Sequence, residues 1–427
     1  MTLILCPLIV VRQWREEIRK YAPSGFFDHV VVLEGTRKQR INQWKDARLK
    51  ERAIYITNID VLNTKFWDEY LSKTNWDIFV LDESQKVKTH NSKRAVKLRQ
   101  VVDRIPYKFI LSGTPILNSA MDIWGQYRVL SRNILPDSFY VFRKKYFEDK
   151  NVGMPKHAYF PNWQPKAHAY PELQDIIERH SMRVTKAEVL DLPPLVRQKV
   201  YVPLASEQKE AYQSMKRDFI AYLDDEACIA QIALTKLLRL LQICCGLFSV
   251  EGSEEIRRIE TNKLKALKEL LDDITPYHKV IVWANFIENY KDIAKFCGPV
   301  FSIIKGGQTS DERHKMIDSF QNTDECRVMI ANQSAGGVGV NLTAASYMIY
   351  FSKNFSLNDD LQSEARAHRG GSEIHESITR IDIVTEDTVE EEVTEALYQK
   401  KKIADLLLDI KRKESGDTTW RQTEMYA

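Results

Sequence analysis

The sequence predicts an α/β protein with two parallel sheets and helical insertions between them. Five short apolar runs of strand length occur within residues 1–123, and five more occur within residues 256–395. Charged segments separate the runs in each set, an alternation typical of parallel sheets whose faces are covered by helices. Between the two sets the pattern changes to long helical segments. These observations favour two α/β lobes in one chain.

The predicted elements follow one another in a simple order. The strands of the first set are TLILC, VVVLE, AIYIT, DIFVLDE and KFILSGTP; those of the second are KVIVWAN, VFSIIKG, RVMIANQ, YMIYFS and RIDIVTE. Residues 390–413 have an acidic start and a basic end, which suits a terminal helix. The predicted division is therefore a first lobe (1–123), an irregular insertion and linker (124–195), a helical protrusion (196–255), a second lobe (256–395), and a C-terminal helix and tail (396–427).

Composition narrows the class of protein. The chain has 427 residues, of which 44% are hydrophobic and 28% charged, and its formal net charge is +3. No apolar run approaches the roughly 18 residues that span a bilayer, and the apolar opening lacks a basic segment and a cleavage site. The six cysteines show no C-x-x-C pair, which argues against a zinc site and a disulfide framework. We expect an intracellular, cytoplasmic protein that is neither secreted nor membrane-bound.

Two adjacent carboxylates follow the fourth apolar run. Asp82 and Glu83 stand where a strand ends, a position from which nucleotide hydrolases hold Mg²⁺ and orient an attacking water. The alternative is that two surface acids simply mark where the chain meets solvent. The next run ends in Ser112, Gly113 and Thr114, which suit contact with phosphate or with the carboxylates, or form an ordinary turn.

Basic residues form two further features. Arg366 and Arg369 are three residues apart in QSEARAHRG, so on a helix they would be neighbours able to act on a γ-phosphate. An exposed basic helix is the alternative. Residues 86–108 hold eight Lys or Arg against the single acid Asp103, which predicts a solvated surface or a nucleic-acid contact. SAGGVGVNL lacks the third glycine of a dinucleotide loop.

Taken in order, these segments resemble the Swi/Snf-type helicase-like ATPases of helicase superfamily two. The matching segments are LILCPLIVVRQWREEI, IYITNID, LDESQ and LSGTP, then MRVTKAEVLDLPP, KVIVWANF, GGQTSDERHKMIDSFQ, SAGGVGVNLTAAS, QSEARAHRG and RIDIVTEDTVEEEV. The resemblance covers nearly the whole chain. It implies two RecA-like lobes that use ATP and Mg²⁺ to move along double-stranded DNA. The absence of Trp-Asn-Pro from YFSKNFSLNDDLQ makes the chain more similar to bacterial or viral members.

The resemblance also implies roles for matched residues. Asp82 would hold the metal and Glu83 the attacking water, while Arg366 and Arg369 would contact the γ-phosphate. Ser112, Gly113 and Thr114 would couple closure of the two lobes to DNA. The implied nucleotide contacts are Gln362, Gly337 and Gly339, and the implied DNA contacts are Arg12, Thr57, Asn58, Gly307, Gln308, Asn332, Gln333 and Ser334.

One expected segment departs from the pattern. No G-x-x-x-x-G-K-[ST] phosphate cradle occurs in the sequence, so we expect the family's N-terminal P-loop segment to be missing and a flank of the first sheet to be exposed. The predicted function is a DNA-dependent ATPase and duplex DNA translocase whose P-loop is missing from this chain. The alternative is a catalytically incomplete DNA-binding remnant or regulatory subunit.

Overall fold

The protein folds into two compact units, each built around a parallel sheet. The computed structural model describes residues 1–23, 25, 27, 29–47, 52–154, 159, 161–223, 230–249, 256–336 and 340–408. The first unit comprises Met1–Lys150, Pro161–Arg183 and the chain from Lys400, and the second comprises Asn151–Phe160 and Val184–Gln399. The predicted α/β class with two parallel sheets is confirmed.

The strands and helices of the described residues have the following bounds. The strands are β1 Thr2–Cys6, β2 His29–Leu33, β3 Ala53–Asn58, β4 Ile78–Leu81, β5 Tyr107–Ile110, β6 Phe147–Asp149, β7 Trp163–Pro165, β8 Leu195–Val202, β9 Leu247–Ser249, β10 Ile256–Arg258, β11 Val280–Trp283, β12 Phe301–Ile304, β13 Val328–Ala331, β14 Tyr347–Tyr350 and β15 Ile378–Thr385. The helices are α1 Val11–Tyr21, α2 Arg37–Ala47, α3 Lys65–Glu69, α4 Lys93–Val102, α5 Asp122–Leu130, α6 Phe139–Tyr146, α7 Ala169–His180, α8 Lys186–Val189, α9 Ser206–Leu223, α10 Ala230–Cys244, α11 Asn262–Ile274, α12 Tyr290–Ala294, α13 Ser310–Asn322, α14 Gln333–Gly336, α15 Leu357–Ala367 and α16 Val389–Leu408.

The first sheet has the strand order β2-β3-β1-β4-β5, with every pair parallel. All six residues of the interior strand β3 are buried, which explains why its sequence reads as a continuous apolar run. The five strands are those that the sequence predicts. Because the strands are parallel, β4 and β5 bring Asp82 and Ser112 to the same edge of the sheet.

The second sheet has the order β12-β13-β11-β14-β15-β8, again with every pair parallel. Its sixth strand, β8, pairs with β15 over eight residues. The predicted division instead places most of β8 at the start of the helical protrusion. The strand lies at the sheet edge and most of its side chains are exposed, so its LVRQKVYV sequence lacks the apolar run that marks a buried strand.

The helix α5 belongs to the first unit, although the predicted division places most of it in an insertion. Its Gly125 lies so close to the turn after β4 that an added Cβ would stand 2.4 Å from the Val87 carbonyl oxygen and 2.6 Å from that of Lys88. Both obstacles are backbone atoms, so the neighbouring turn would have to move. The glycine therefore permits the close packing that ties α5 to the end of β4.

Replacing Gly125 by alanine is expected to destabilise the first unit by about 1–3 kcal/mol, because overpacking against backbone outweighs the better helix propensity of alanine. The measurement is the urea midpoint of unfolding. Gly113→Ala is the matched control, since an added Cβ there meets no atom within 4 Å. An unchanged or higher midpoint for Gly125→Ala would contradict the packing argument.

Candidate functional site

The adjacent carboxylates lie immediately after β4. The Asp82 carboxylate accepts hydrogen bonds from the Trp14 indole Nε1 at 2.9 Å and from the Glu83 backbone N at 2.8 Å. Its own backbone N donates to the Leu5 carbonyl at 2.8 Å. Trp14 lies on α1, so the helix that follows β1 orients the aspartate. The sequence gives no signal for this contact, which joins residues 68 positions apart.

Glu83 has an unusual backbone conformation. Its φ of 52° and ψ of 53° lie in the left-handed region, which few residues other than glycine adopt. A one-turn 3-10 helix, Ser84–Val87, begins directly after it. Such conformations persist where the surroundings hold them, and they concentrate at functional sites. The turn places the chain after β4 against α5, where Gly125 lies close to the Val87 and Lys88 carbonyls.

Gln85 connects the acidic pair to the turn after β5. Its side-chain nitrogen donates to the Glu83 carboxylate, and its side-chain oxygen accepts a 2.8 Å hydrogen bond from the Ser112 hydroxyl. The Thr114 backbone N donates to the same Ser112 hydroxyl oxygen at 3.1 Å. The structure therefore brings together Glu83 and the Ser112–Thr114 segment through a residue that the sequence did not single out.

A second set of hydrogen bonds connects the turn after β4 to α5. The Ser84 hydroxyl donates to the Gln126 side-chain oxygen at 2.8 Å, and both side chains are buried. The Gln126 amide also donates to the carbonyls of Pro115 and Asp122. Because α5 contacts the segments after both β4 and β5, it holds the two loops in one arrangement.

The resemblance to helicase-like ATPases implies duplex-stimulated ATP hydrolysis, and for that activity we expect Gln85 to be a positioning residue. In Gln85→Ala, the stimulation by duplex DNA should fall roughly tenfold or more, since a hydrogen bond to a charged group is worth about 1.5–3 kcal/mol. The measurement is the ratio of ATP turnover with and without duplex. Gln13→Ala, at an exposed position on α1, should retain the wild-type ratio, and a wild-type ratio in Gln85→Ala would refute the linkage.

The predicted arginine pair lies at the end of α15 in the second unit. The prediction that both arginines lie on one helix is wrong, because α15 ends at Ala367 and Arg369 lies in the turn that follows. The Arg366 guanidinium donates to the Val340 carbonyl at 3.4 Å. Among the residues that the structure describes, no carboxylate pairs with the half-buried Arg369. Gln362 lies on the same helix, whereas Gly337 and Gly339 lie outside the described residues.

The inner face of α15 is anchored by a buried arginine on β15. Arg380 donates to both carboxylate oxygens of Asp360, at 2.8 and 3.1 Å, and to Glu364 at 2.9 Å. Its guanidinium also lies 4.0 Å from the centre of the Tyr350 ring. Asp360 and Glu364 are four residues apart and face inward, so the same helix presents Gln362 and Arg366 on another side.

Further charges complete this network. Asp382 accepts from Arg380 at 3.2 Å and from Lys353 at 2.6 Å. Burial alone would raise the pKa of Asp382, but Arg380 and Lys353 lower it below its usual value. Burial lowers the pKa of Lys353. Arg197 on β8 donates to Glu364 at 2.7 Å. The carboxylates on α15 are therefore held in place by hydrogen bonds from Arg380 and Arg197.

Two of the predicted DNA contacts lie in the interior of the protein. Thr57 and Gln333 are fully buried. The Thr57 hydroxyl donates to the Leu33 carbonyl at 2.8 Å, and the Gln333 side chain is bonded to Ser363 and to the Asn354 backbone. A side chain in this environment cannot reach a phosphate, so the prediction is wrong for these two side chains and stands only for their backbone amides.

Three other predicted DNA contacts use their side chains within the protein. Asn58 is buried and accepts from Arg40, Gln308 bridges the backbone of Lys305 and Ile303, and Asn332 bonds to the Asn285 carbonyl. The exposed members of the prediction are Arg12, Gly307 and Ser334. Arg12 pairs with Glu34 at 3.1 Å with its side chain 65% exposed, and the Ser334 hydroxyl donates to Asp359.

The sequence profile of the SNF2-related domain matches residues 1–248, and that of the helicase conserved C-terminal domain matches residues 262–371. The chain belongs to the SNF2-related family. Its two parallel-sheet units are the two RecA-like lobes of that family. The acidic pair and the Ser112–Thr114 turn lie within the SNF2-related match, and Arg366 and Arg369 lie within the helicase C-terminal match.

Curated relatives of this SNF2-related chain occur in bacteria and animals. A Mycoplasma genitalium protein named an uncharacterized ATP-dependent helicase is 26% identical over 94% of this chain and 37% of its own length. The mouse Chromodomain-helicase-DNA-binding protein 1-like is 25% identical over 95% of this chain and 44% of its own length. The chain thus spans about two fifths of the length of these relatives.

A solved structure, the Sulfolobus solfataricus SWI2/SNF2 ATPase core in complex with dsDNA, is also similar. It is 25% identical to this SNF2-related chain, with a TM-score of 0.41 over 97% of this chain and 82% of the solved one.

The acidic pair of this SNF2-related protein supplies carboxylate oxygens, which are ligands that Mg²⁺ prefers. Across the described residues, no three His, Cys, Asp or Glu side chains group to hold a metal. Mg²⁺ characteristically takes one or two carboxylates and completes its shell with water and substrate phosphates. Asp82 and Glu83 fit that requirement.

The helices of the described residues include none with the length and apolar character of a membrane span.

Proposed function

We propose that the protein is a DNA-dependent ATPase and duplex DNA translocase in which ATP hydrolysis drives movement on DNA. The observation that carries this proposal is the hydrogen-bonded connection from Glu83 through Gln85 to Ser112. This connection links the Glu83 carboxylate, which is suited to orienting a water molecule, with the turn at the end of β5. A structural role alone would not require a carboxylate at one end of such a connection.

The proposed chemistry assigns one task to each group. Bound Mg²⁺ would neutralise the charge of the ATP phosphates, with Asp82 among its ligands. Glu83 orients the attacking water, and Arg366 and Arg369 stabilise charge on the γ-phosphate. Gln362, Gly337 and Gly339 are the proposed nucleotide contacts. Ser112, Gly113 and Thr114 transmit the state of the acidic pair to the DNA path, which includes Arg12, Gly307 and Ser334.

We further propose that hydrolysis requires a phosphate-cradling segment in addition to these residues. The sequence contains no G-x-x-x-x-G-K-[ST], whose backbone N–H groups wrap phosphates in P-loop enzymes. The edge strand β5 is consistent with this proposal. Tyr107 is 63% exposed and Phe109 54%, and β5 pairs with β4 alone among the described strands. Such an edge can accept one further strand.

Phosphate release from ATP by the 427-residue chain, with and without duplex DNA, tests this function. Glu83→Gln is the control, because it keeps the side-chain shape and removes the carboxylate. Duplex-stimulated release that Glu83→Gln abolishes would support the ATPase and would refute the need for an added cradle. Release that is equal in both proteins would refute the role of Glu83.

The absent glycine-rich segment favours a second candidate, a catalytically incomplete DNA-binding module or regulatory subunit. This candidate predicts salt-sensitive binding to duplex DNA, because phosphate contacts release counterions, together with no ATP turnover. Duplex binding without phosphate release is the result expected for this candidate and equally for an ATPase that lacks its cradle, whereas absence of duplex binding would remove this candidate.

A further inference from the structure

An open groove in the first unit combines arginines with aromatic rings and takes no part in the site described above. It encloses about 460 Å³ and is lined mainly by Arg99, Arg128, Arg132, Trp124, Phe139 and Tyr140. The residues come from α4, α5, the segment that follows α5 and the start of α6. We call it the arginine–aromatic groove. None of its residues is among the proposed duplex contacts.

The aromatic side of the groove is a connected set of rings. His90 stacks on Phe139 with ring centres 3.9 Å apart and an interplanar angle of 9°, and Trp124 meets Phe139 edge-on at 5.5 Å. Tyr140 stands at the border of this set, 6.1 Å from Phe139. Its side chain contributes little to the core, because the residue is 63% exposed. An aromatic ring exposed at the border of the groove offers a face to a ligand.

The cationic side of the groove carries more positive than negative charge. Asp103 and Asp137 both bind Arg128, and Asp103 also binds the 59% exposed Arg132. Arg99 instead donates to the His90 carbonyl at 2.7 Å. Three arginines thus face two aspartates.

The neighbouring groups do not reverse this surplus. Burial, followed by the nearby Arg99 and Arg143, lowers the pKa of His90, so the ring is neutral near pH 7. Arg143 lies 5.4 Å from the Tyr140 ring and 4.1 Å from the Trp163 ring. It forms no ion pair within the described part of the chain, so it adds a further positive charge beside the groove.

A cationic groove bordered by an exposed ring is the arrangement that binds unpaired nucleotides, with phosphates on the cations and bases stacked on the ring. We propose that the arginine–aromatic groove binds single-stranded nucleic acid, with a phosphate at Arg132 and a base on Tyr140. Duplex DNA does not suit it, since paired bases are already stacked. An acidic peptide would use the charge but would leave Tyr140 without a role. This inference does not rest on ATP hydrolysis or on duplex translocation.

The test measures binding of a fluorescent oligothymidylate of about 15 nucleotides by anisotropy, with a duplex of equal length measured in parallel. Tyr140→Ala should weaken oligothymidylate binding about 5- to 150-fold, the range for loss of one stacking ring. Tyr140→Phe should bind like wild type. Arg132→Gln should reduce the salt slope of binding by about 0.7. Duplex affinity should not change in any of these variants.

Two matched controls separate the groove from general surface effects. Tyr277 is 80% exposed and lies in the second unit, so Tyr277→Ala should bind oligothymidylate like wild type. Arg179 is 69% exposed and pairs with Asp175. Arg179→Gln is therefore the matched control for Arg132→Gln, and it should leave the salt slope of oligothymidylate binding unchanged.

Three outcomes would overturn the proposal. Oligothymidylate binding could be unaltered in Tyr140→Ala, which would remove the stacking contact. Duplex affinity could fall as much as single-strand affinity, which would make the groove part of the duplex surface. Labelled polyglutamate could lose as much affinity in Tyr140→Ala as oligothymidylate does, which would make it a site for acidic peptides. None of these measurements needs ATP, so their failure is distinct from failure of the proposed ATPase.

Discussion

Arg369→Ala is expected to reduce duplex-stimulated ATP turnover by about 10³- to 10⁵-fold, the range attributed to arginines that stabilise phosphoryl-transfer charge. The structure places Arg369 in the turn beyond α15, with no carboxylate partner among the described residues. Its charge is therefore available for a phosphate. The measurement is ATP turnover at saturating ATP and duplex DNA. It is made on whichever protein releases phosphate, either the 427-residue chain or the chain supplied with a phosphate cradle.

The control for this prediction is an arginine that is held at the surface of the same unit. Arg257 is 65% exposed and pairs with Glu207, so Arg257→Ala should leave turnover unchanged. Thermal unfolding of Arg369→Ala should match wild type, because the side chain holds no ion pair in the described structure. Turnover within a few fold of wild type would refute the phosphate role of Arg369.

Arg380→Met is expected to destabilise the second unit by about 3–5 kcal/mol, the loss typical when one partner of a buried ion pair is removed. Methionine preserves much of the side-chain length but leaves Asp360, Glu364 and Asp382 without their shared cation. The measurement is the urea dependence of unfolding. Since Asp360 and Glu364 lie on α15, turnover should also fall as that helix loses its anchor.

The same variant has a pH signature. The folded-state pKa of Asp382 is depressed, so its contribution to stability is present above the ordinary aspartate pKa of about 4 and is lost as the pH falls through the folded value. The stability difference between wild type and Arg380→Met should therefore narrow below about pH 4. Lys268→Met, in an exposed pair with Asp272, should leave the free energy of unfolding close to that of wild type. A constant difference across this pH range would contradict the proposed charge network.

Local pattern was sufficient to predict ten of the eleven strands of the two parallel sheets. Strands such as β3 and β11 are buried along their whole length, and burial on both faces requires the continuous apolar runs that the sequence displays. The edge strand β8 was not predicted, because an exposed edge permits Arg, Gln and Lys within the strand. Its assignment to the second sheet depends on pairing with β15, which is 176 or more residues later in the chain.

The candidate site was predictable only in part. Adjacent acids after an apolar run and a small-residue turn after the next run are both visible in sequence, and parallel strands bring their ends together. Gln85 and Trp14 were not predictable as their partners, since the hydrogen bonds join positions 27 and 68 residues apart. The end of α15 before Arg369 was also missed, because QSEARAHRG contains no glycine or proline until after that residue.

The sequence by itself determined the two α/β lobes and the strand ends that carry Asp82 and Ser112. A buried strand needs a short run of apolar residues, and such a run is visible in the local sequence. Only the tertiary structure decided which polar groups remain available. The basic run at residues 86–108 illustrates this: Lys88, Arg94 and Lys97 pair with Asp122, Asp60 and Asp68 from other segments. Thr57 and Gln333 are likewise enclosed by distant parts of the fold. Charge and hydrogen-bonding capacity are satisfied by neighbours in space, and those neighbours are set by packing rather than by position in the chain.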